Sequence, residues 1–293
     1  MMSTQDVCTI SVRPDSSDAV RAGQLGRGAL WSTVADVCRL LRLDTKAQYA
    51  GQETLFQHRR LKPGQRLYHA GQAFEALYVV NSGYLKTLIV DGEGNERVLS
   101  FPMKGDLLGS DGICKDCHAS EVVALSDCDL IVIPFRQLVA LGHSCDEFEE
   151  VIYRVISREL VQEHINLATL GALHSDARVA HFIAMQAERH AQLGFSSRAF
   201  LLRMTRREIG SYLGLTLETV SRSLSALHAA GVICIDQRDV QILKPEALRT
   251  GRHASPAAPQ ESRIHAVSSK RSPPARASRA RSATPWQPLQ AAA

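Results

Sequence analysis

The stretch ICKDCH, from Ile113 to His118, contains the side chains of this chain that are best suited to chemistry. Cys114 and Cys117 stand at Cys-x-x-Cys spacing, and a histidine follows directly. Two thiolates at this spacing suit zinc, an iron–sulfur cluster or a redox-active pair, and with the histidine they spell a c-type haem attachment site. Because two thiolates are only half of a tetrahedral ligand set, the motif alone does not select among these uses.

A complete metal site needs further ligands. Cys38, Cys128 or His118 are the candidates to join Cys114 and Cys117 in a zinc or iron–sulfur centre. A reversibly oxidised thiol pair and a surface loop without any ligand remain open. The seven cysteines are odd in number, and the N-terminus has no basic segment followed by an apolar one. These features predict reduced thiols in a cytoplasmic protein rather than a disulfide framework.

The segment that must position these thiols, from about Arg59 to Phe135, has the pattern of a small β-domain. Short runs rich in Val, Ile and Leu alternate with turns that contain glycine, such as DGEGN. The runs are LYVV, YLKTLIV, RVLSF, EVVAL and LIVIPF. Short strands joined by such turns are typical of an antiparallel barrel or jelly roll.

Beyond Gly142 the apolar period lengthens to that of a helix, from about Asp146 to Leu173. This stripe fits either packing on its own barrel or a coiled-coil-like seam between two chains. The length of the segment and its place between two domains favour the seam. The candidate dimerisation residues are Ile152, Val155, Ile156, Leu160, Glu163 and Leu167. A further helix is expected from a cap at Ser175-Asp176 to about His190, followed by extended or irregular chain.

A second motif, from Met204 to Leu243, has the layout of a winged helix-turn-helix. Thr205 and Glu208 form a capping box that begins one helix, and Gly214 ends it. Thr216 then caps a second helix, and the runs VICID and VQIL supply the two strands of a wing.

The second helix of this motif has two faces. Its apolar face is predicted to turn toward the core and comprises Leu217, Val220, Leu224 and Leu227. Its polar face is free to enter a major groove, where arginine pairs with guanine and glutamate accepts from cytosine. The candidate DNA-binding residues are Glu218, Thr219, Ser221, Arg222 and Ser225, with the helix caps Thr205 and Thr216. The alternative is an ordinary solvated face with an incidental Glu–Arg pair, but capping, turn, polar face and wing in one order favour DNA.

Positive charge is concentrated toward the C-terminal end. Residues 1–197 carry 19 Lys and Arg against 24 Asp and Glu, residues 198–252 carry 9 against 5, and residues 253–293 carry 6 against 1. This asymmetry favours nucleic acid as the partner of the C-terminal part. The last segment also holds six of the eleven prolines, which predicts a disordered tail. The tail serves either to solubilise the protein or to add salt-sensitive attraction to DNA.

The sequence resembles the CRP/FNR family of bacterial transcription regulators over about residues 45–250. The resemblance rests on MTRREIGSYLGLTLETVSRSL, GFSSRAFLLRMT, KPGQRLYHAGQAFEALYVVNSGYLKT, GDLLG and IPF. It implies an α+β fold: an N-terminal cyclic-nucleotide-binding-like β-roll, a long dimerisation helix and a C-terminal winged helix-turn-helix. It further implies a homodimer that binds a palindromic DNA operator and contacts RNA polymerase, without a membrane. In the FNR branch, residues matching Glu218, Ser221 and Arg222 read a TTGAT-type half-site.

The sequence departs from the family in the sensor region. The FNR branch holds a [4Fe–4S] cluster with three closely spaced cysteines and a fourth just before IPF. Here Cys38 alone stands near the last of the three, Cys8 is isolated, and the fourth position falls on Ile131. Cys128 lies three residues earlier, so on a strand its side chain points to the other face. The Arg-Ser pair that grips the phosphate of cAMP in the family falls on His118-Ala119.

These observations predict a DNA-binding regulator without catalytic activity that responds to a redox, oxygen or small-molecule signal. No cofactor is expected; an iron–sulfur cluster or non-covalent haem in a gas-sensing regulator is the alternative, whereas c-type haem is attached outside the cytoplasm. A β-roll-regulated enzyme is a further alternative, although no Ser/His/Asp set, phosphate loop or paired-carboxylate motif stands out. The expected domains are an arm (1–45), the β-roll (46–143), the dimerisation helix (144–173), the winged helix-turn-helix (174–252) and the tail (253–293).

Overall fold

The structure is a computed structural model, and it describes residues 30–42, 54–144 and 146–250. The predicted tail, most of the N-terminal arm, Cys8 and the side chain of Ile152 lie outside the described residues. None of the described helices has the length and apolar character that crossing a membrane requires.

The first half of the described chain forms an antiparallel β-roll of two sheets, as the sequence predicts. One sheet has the strand order β1-β2-β9-β4-β7, and the other has the order β3-β8-β5-β6. The strands of the first are β1 (Trp31–Thr33), β2 (Leu55–Leu61), β4 (Ala76–Ser82), β7 (Leu107–Leu108) and β9 (Cys128–Pro134). Those of the second are β3 (Arg66–Tyr68), β5 (Leu85–Val90), β6 (Glu96–Ser100) and β8 (Glu121–Ala124). The apolar runs predicted β4, β5, β6, β8 and β9; they did not predict β1, β2, β3 or β7.

The two faces of β9 belong to different cores. Ile131 packs with Phe56, Val79 and the helix α1 (Val34–Leu40), which lies over the outer face of its sheet. Cys128 and Leu130 pack with Leu85 between the sheets. This alternation confirms that Cys128 and Ile131 point to opposite faces, because successive side chains of a strand alternate.

Two helices follow the β-roll. The first, α2 (Phe135–Ser144), was not predicted, and the second is the long helix α3 (Asp146–Ala172), at the expected place. Val155, at 2% exposure, packs in the core of its own subunit rather than on a free face. By contrast, Leu160 and Leu167 are 52% and 68% exposed, and the neighbouring Val161 and Ile165 are also more than half exposed.

The remaining elements form a winged helix-turn-helix around one core. They are the helices α4 (Ser175–Gln192), α5 (Arg206–Leu213), α6 (Leu217–Ala229) and α7 (Pro245–Thr250), with the strands β10 (Ala199–Leu201), β11 (Ile233–Asp236) and β12 (Asp239–Ile242). The strands pair in the order β10-β12-β11. The predicted cap of α4 is wrong: its N-cap is His174, with no side-chain capping bond. Asp176 instead accepts a hydrogen bond from the buried Ser223 of α6, which ties the two helices together.

Candidate nucleic-acid interface

The start and end of α5 are fixed by local hydrogen bonds. Thr205 Oγ1 accepts from the Glu208 backbone N–H at 3.2 Å, and Glu208 Oε2 accepts from the Thr205 N–H at 2.7 Å. Gly214 ends the helix in the left-handed region, at φ 65°. A Cβ on Gly210 would lie 2.7 Å from the carbonyl oxygen of Leu215, so this position has room only for glycine. The capping box and the stop are therefore confirmed, and the chain turns tightly into the next helix.

The helix α6 is anchored by its buried face. Thr216 caps it by accepting from the Thr219 N–H at 3.2 Å. Val220, Leu224 and Leu227 are at most 1% exposed and pack in the core of the domain. Leu217, predicted to belong to this face, is 44% exposed. Leu217 is the first residue of the helix, and the contacts with the core begin only at Val220.

The opposite face of α6 presents polar groups to solvent. Glu218, Arg222 and Ser225 are exposed, and Ser221 is half-buried. The Glu218 N–H and the Thr216 hydroxyl hydrogen-bond the Glu218 carboxylate and, with the attraction of Arg222, hold its pKa below the ordinary value. Glu218 is therefore an ionised acceptor at neutral pH, next to the donors of Arg222. This pairing of acceptor and donors is what reading base edges in a major groove requires.

Further basic groups lie beside this face, and sequence reasoning missed them. Arg206 Nη1, at the start of α5, lies 3.4 Å from Ser221 Oγ. Arg206 also lines a cleft of about 240 Å³ together with Thr205 and with Gln237 and Arg238 at the tip of the wing. Arginines in the first turn of α5 and in the turn between the wing strands were the available signal, since guanidinium groups at a helix start suit phosphate contacts.

The candidate thiol ligands are not brought together. Cys114 is exposed and Cys117 is half-buried in the same turn, whereas Cys38 and Cys128 are buried in two separate cores. Burial raises the pKa of both buried thiols, and Cys128 Sγ lies 3.3 Å from the Tyr84 carbonyl oxygen. Within residues 30–42, 54–144 and 146–250 no three metal-ligating side chains are grouped. These four cysteines therefore do not fit a zinc or iron–sulfur centre.

The segment from His118 to Ser120, which includes the two residues aligned with the Arg-Ser pair, binds a carboxylate of the protein itself. Asp111 Oδ2 accepts from the backbone N–H of Ala119 at 3.0 Å and of Ser120 at 2.9 Å, and from the Ser120 hydroxyl at 2.7 Å. The buried His118 lies 3.3 Å from Asp111 and stacks on Tyr68. The donors available for an anion at this point are thus already engaged.

A Ser–His–Asp chain that the sequence did not reveal joins three strands. Ser32 Oγ lies 2.8 Å from His58 Nε2, and His58 Nδ1 lies 2.8 Å from Asp129 Oδ2. The side chains of His58 and Asp129 are only 3% and 14% exposed. Asn81 donates to the same carboxylate oxygen at 2.7 Å. Because these side chains are buried, their hydrogen bonds hold β1, β2 and β9 together and do not form an accessible nucleophilic site.

Comparisons with known proteins agree with this architecture. Residues 58–144 match the cyclic nucleotide-binding domain, and residues 177–250 match the Crp-like helix-turn-helix domain. The transcriptional regulatory protein Btr of Bordetella pertussis is 38% identical over 65% of this chain and 78% of its own length. The chain belongs to the CRP/FNR family of transcription regulators. The fumarate and nitrate reduction regulatory protein of Escherichia coli is 34% identical over 64% of this chain and 75% of its own length.

Solved structures of the family share the fold. FixK2 of Bradyrhizobium japonicum superimposes with a TM-score of 0.61 at 24% identity, over 67% of this chain and 97% of that one. The CRP/FNR architecture accounts for the β-roll and the winged helix-turn-helix described above. The helix-turn-helix match and the identity to Btr and to the fumarate and nitrate reduction regulatory protein show that the chain is a transcription regulator with a DNA-binding helix-turn-helix rather than a β-roll-regulated enzyme.

Proposed function

We propose that the protein binds a palindromic, FNR-type operator as a homodimer and reads a TTGAT-type half-site with α6. The observation that carries this proposal is the geometry of that helix. Three fully buried side chains anchor one face, and Glu218, Ser221 and Arg222 occupy the other. Thr219, Ser225 and the caps Thr205 and Thr216 complete the proposed contacts, toward bases or phosphates.

A second copy of the chain is the proposed partner of α3. Leu160 and Leu167, two turns apart on one face of α3, are more than half exposed, and large apolar side chains repeated on one face of a long helix are typical of a helix that packs on a partner. Ile156 and Glu163 flank this surface, whereas Val155 serves its own subunit. A dimer with a two-fold axis between two copies of α3 has the symmetry that a palindromic operator requires, with half-sites about one helical turn of DNA apart.

The β-roll is proposed to receive the signal, which belongs to the redox, oxygen or small-molecule class. The domain boundaries expected from the sequence, contact with RNA polymerase and a cytoplasmic location are part of the same proposal. The engaged donors around Asp111 support a sensor that responds to something other than cAMP. An iron–sulfur cluster or haem would need ligands beyond the four cysteines considered above.

Footprinting tests this function directly. Hydroxyl-radical cleavage of a duplex with two inverted TTGAT half-sites should give two protected patches on one side of the DNA. Sedimentation of the complex should correspond to two protein chains per duplex. Protection at one half-site by a single chain, or no protection above that of a scrambled duplex, would contradict the proposal.

A further inference from the structure

The β-roll and the helix-turn-helix of one chain meet at α5. Ser211 of this helix accepts from the Val98 N–H at 2.9 Å and donates to the Glu96 carbonyl at 3.1 Å, so it completes the edge of β6. Phe101, just after β6, packs against Phe182 and Tyr212 of the DNA-binding domain. The contacts of Ser211 and Tyr212 therefore hold α5 against β6 and the residue Phe101 that follows it.

A charged contact crosses the same junction. Lys86 Nζ, on β5, lies 3.0 Å from Glu208 Oε1 and 3.4 Å from Glu96 Oε2. The side chains of Lys86 and Glu208 are only 13% and 16% exposed. Water therefore screens this pair less than it screens the surface pairs of the β-roll.

Glu208 also caps α5, so the contact with Lys86 connects the β-roll to the start of this helix. Its other oxygen, Oε2, accepts from the N–H and the hydroxyl of Thr205 and so caps α5. Burial alone would raise the pKa of Glu208, but the hydrogen bonds from Thr205 and Lys86 lower it on balance. One ionised carboxylate thus links a sensor lysine to the residue that begins the helix-turn-helix.

We propose that Lys86 is a positioning residue for DNA binding: through Glu208 it fixes Thr205 and Arg206 relative to the sensor. This inference rests on the proposed function, because it takes the start of α5 as part of the DNA interface. Loss of Lys86 leaves the capping box in place but removes the counter-ion of a largely buried carboxylate. The start of α5 then gains freedom relative to β5, and ordering it again on DNA weakens the complex.

Two further contacts hold the β-roll and the helix-turn-helix together when Lys86 is removed. Arg189 of α4 donates to the Phe101 carbonyl at 2.9 Å and pairs with Asp106 of the β-roll. Tyr84 and His190 also meet across the junction, at 3.0 Å between Oη and Nε2. Removal of the Lys86 contact therefore changes orientation rather than separating the domains.

A double-mutant cycle on the full chain tests the inference. Operator affinity is measured by fluorescence anisotropy for Lys86→Met, Glu208→Gln and the double variant, well below their unfolding temperatures. Each single variant should bind the operator about 5- to 10-fold more weakly, and the double variant no more weakly than the worse single. Lys86→Arg, which keeps the charge, should restore most of the affinity.

The matched control is Lys62→Met. Lys62 pairs with Asp127 at 2.9 Å, but both side chains are more than 70% exposed, and the pair lies within the β-roll. This variant should bind the operator like the wild type. A lower unfolding temperature for Lys86→Met with unchanged operator affinity would overturn the inference, because Lys86 would then serve stability alone. If the wild type itself shows no operator preference, the proposed function fails instead.

Discussion

Removal of the guanidinium of Arg222 tests how this protein distinguishes DNA sequences. Arg222 lies on the exposed face of α6, behind which Val220, Leu224 and Leu227 hold the helix in the core. Because the side chain takes no part in that core, Arg222→Ala should change the free energy of unfolding by no more than about 0.5 kcal/mol. Any change in DNA binding then reports the interface and not the fold.

The expected loss follows from the type of contact. One bidentate pair between arginine and guanine contributes about 1–3 kcal/mol of discrimination, which corresponds to roughly 5- to 160-fold in the dissociation constant. Because each half-site of the dimer receives its own Arg222, Arg222→Ala should lose this factor at each TTGAT half-site of the operator and little on a scrambled duplex. The ratio of the two affinities should therefore fall, while the dependence of non-specific binding on salt changes by about one counterion for each Arg222 of the dimer.

Anisotropy titrations with both duplexes, at two salt concentrations, measure this ratio. The control is Arg66→Ala, which removes an equal charge from the exposed end of a surface ion pair with Glu121 on the β-roll. It should leave the ratio unchanged. An equal loss on both duplexes for Arg222→Ala would refute its role in reading bases, since the residue would then act only on phosphates.

Three further variants test the core, an acid–base contact and the dimer. Leu224→Ala, at a site 1% exposed, should lower the free energy of unfolding by about 2–5 kcal/mol; a loss under 1 kcal/mol in urea titrations would contradict its place in the core. Burial and repulsion from Asp106 raise the pKa of Glu159 above its ordinary value of 4.5. The folded state therefore binds a proton more tightly than the unfolded state, and the free energy of unfolding falls as the pH rises from 4.5 through the raised pKa. Glu159→Gln should remove this slope and raise the melting temperature at pH 7; an unchanged slope would show that another group causes it. Leu160→Glu should give a monomer by sedimentation, whereas Val90→Glu, a similarly exposed position on β5, should remain a dimer. A dimeric Leu160→Glu would exclude α3 as the interface.

Short-range signals in the sequence predicted the elements that begin and end locally. The capping box of Thr205 and Glu208 and the stop at Gly214 need only neighbours along the chain, and both are present. The apolar runs of the β-roll were recognisable for the same reason. Where a distant contact competed with a local signal, the prediction failed: Ser175-Asp176 resembles a cap, but Asp176 is engaged by Ser223, 47 residues away.

Contacts between distant residues could not be predicted. Nothing local pairs Lys86 with Glu208, or Ser32 with His58 and Asp129, because these pairings depend on how strands and helices come together. The positions of the candidate metal ligands depend on the same long-range packing. The spacing of Cys114 and Cys117 was visible, but the cores that separate Cys38 from Cys128 were not.

If two copies of α6 read sequence together, operator affinity should depend on the spacing of the half-sites. A rigid two-fold dimer should bind a palindrome with its natural spacing about 1,000-fold more tightly than random duplex. Insertion of 5 base pairs, about half a helical turn, should remove most of that preference by placing the second half-site on the opposite side of the DNA, whereas insertion of a full turn should restore part of it. Equal affinity for all three duplexes and for random DNA would show that two copies of α6 do not read sequence together.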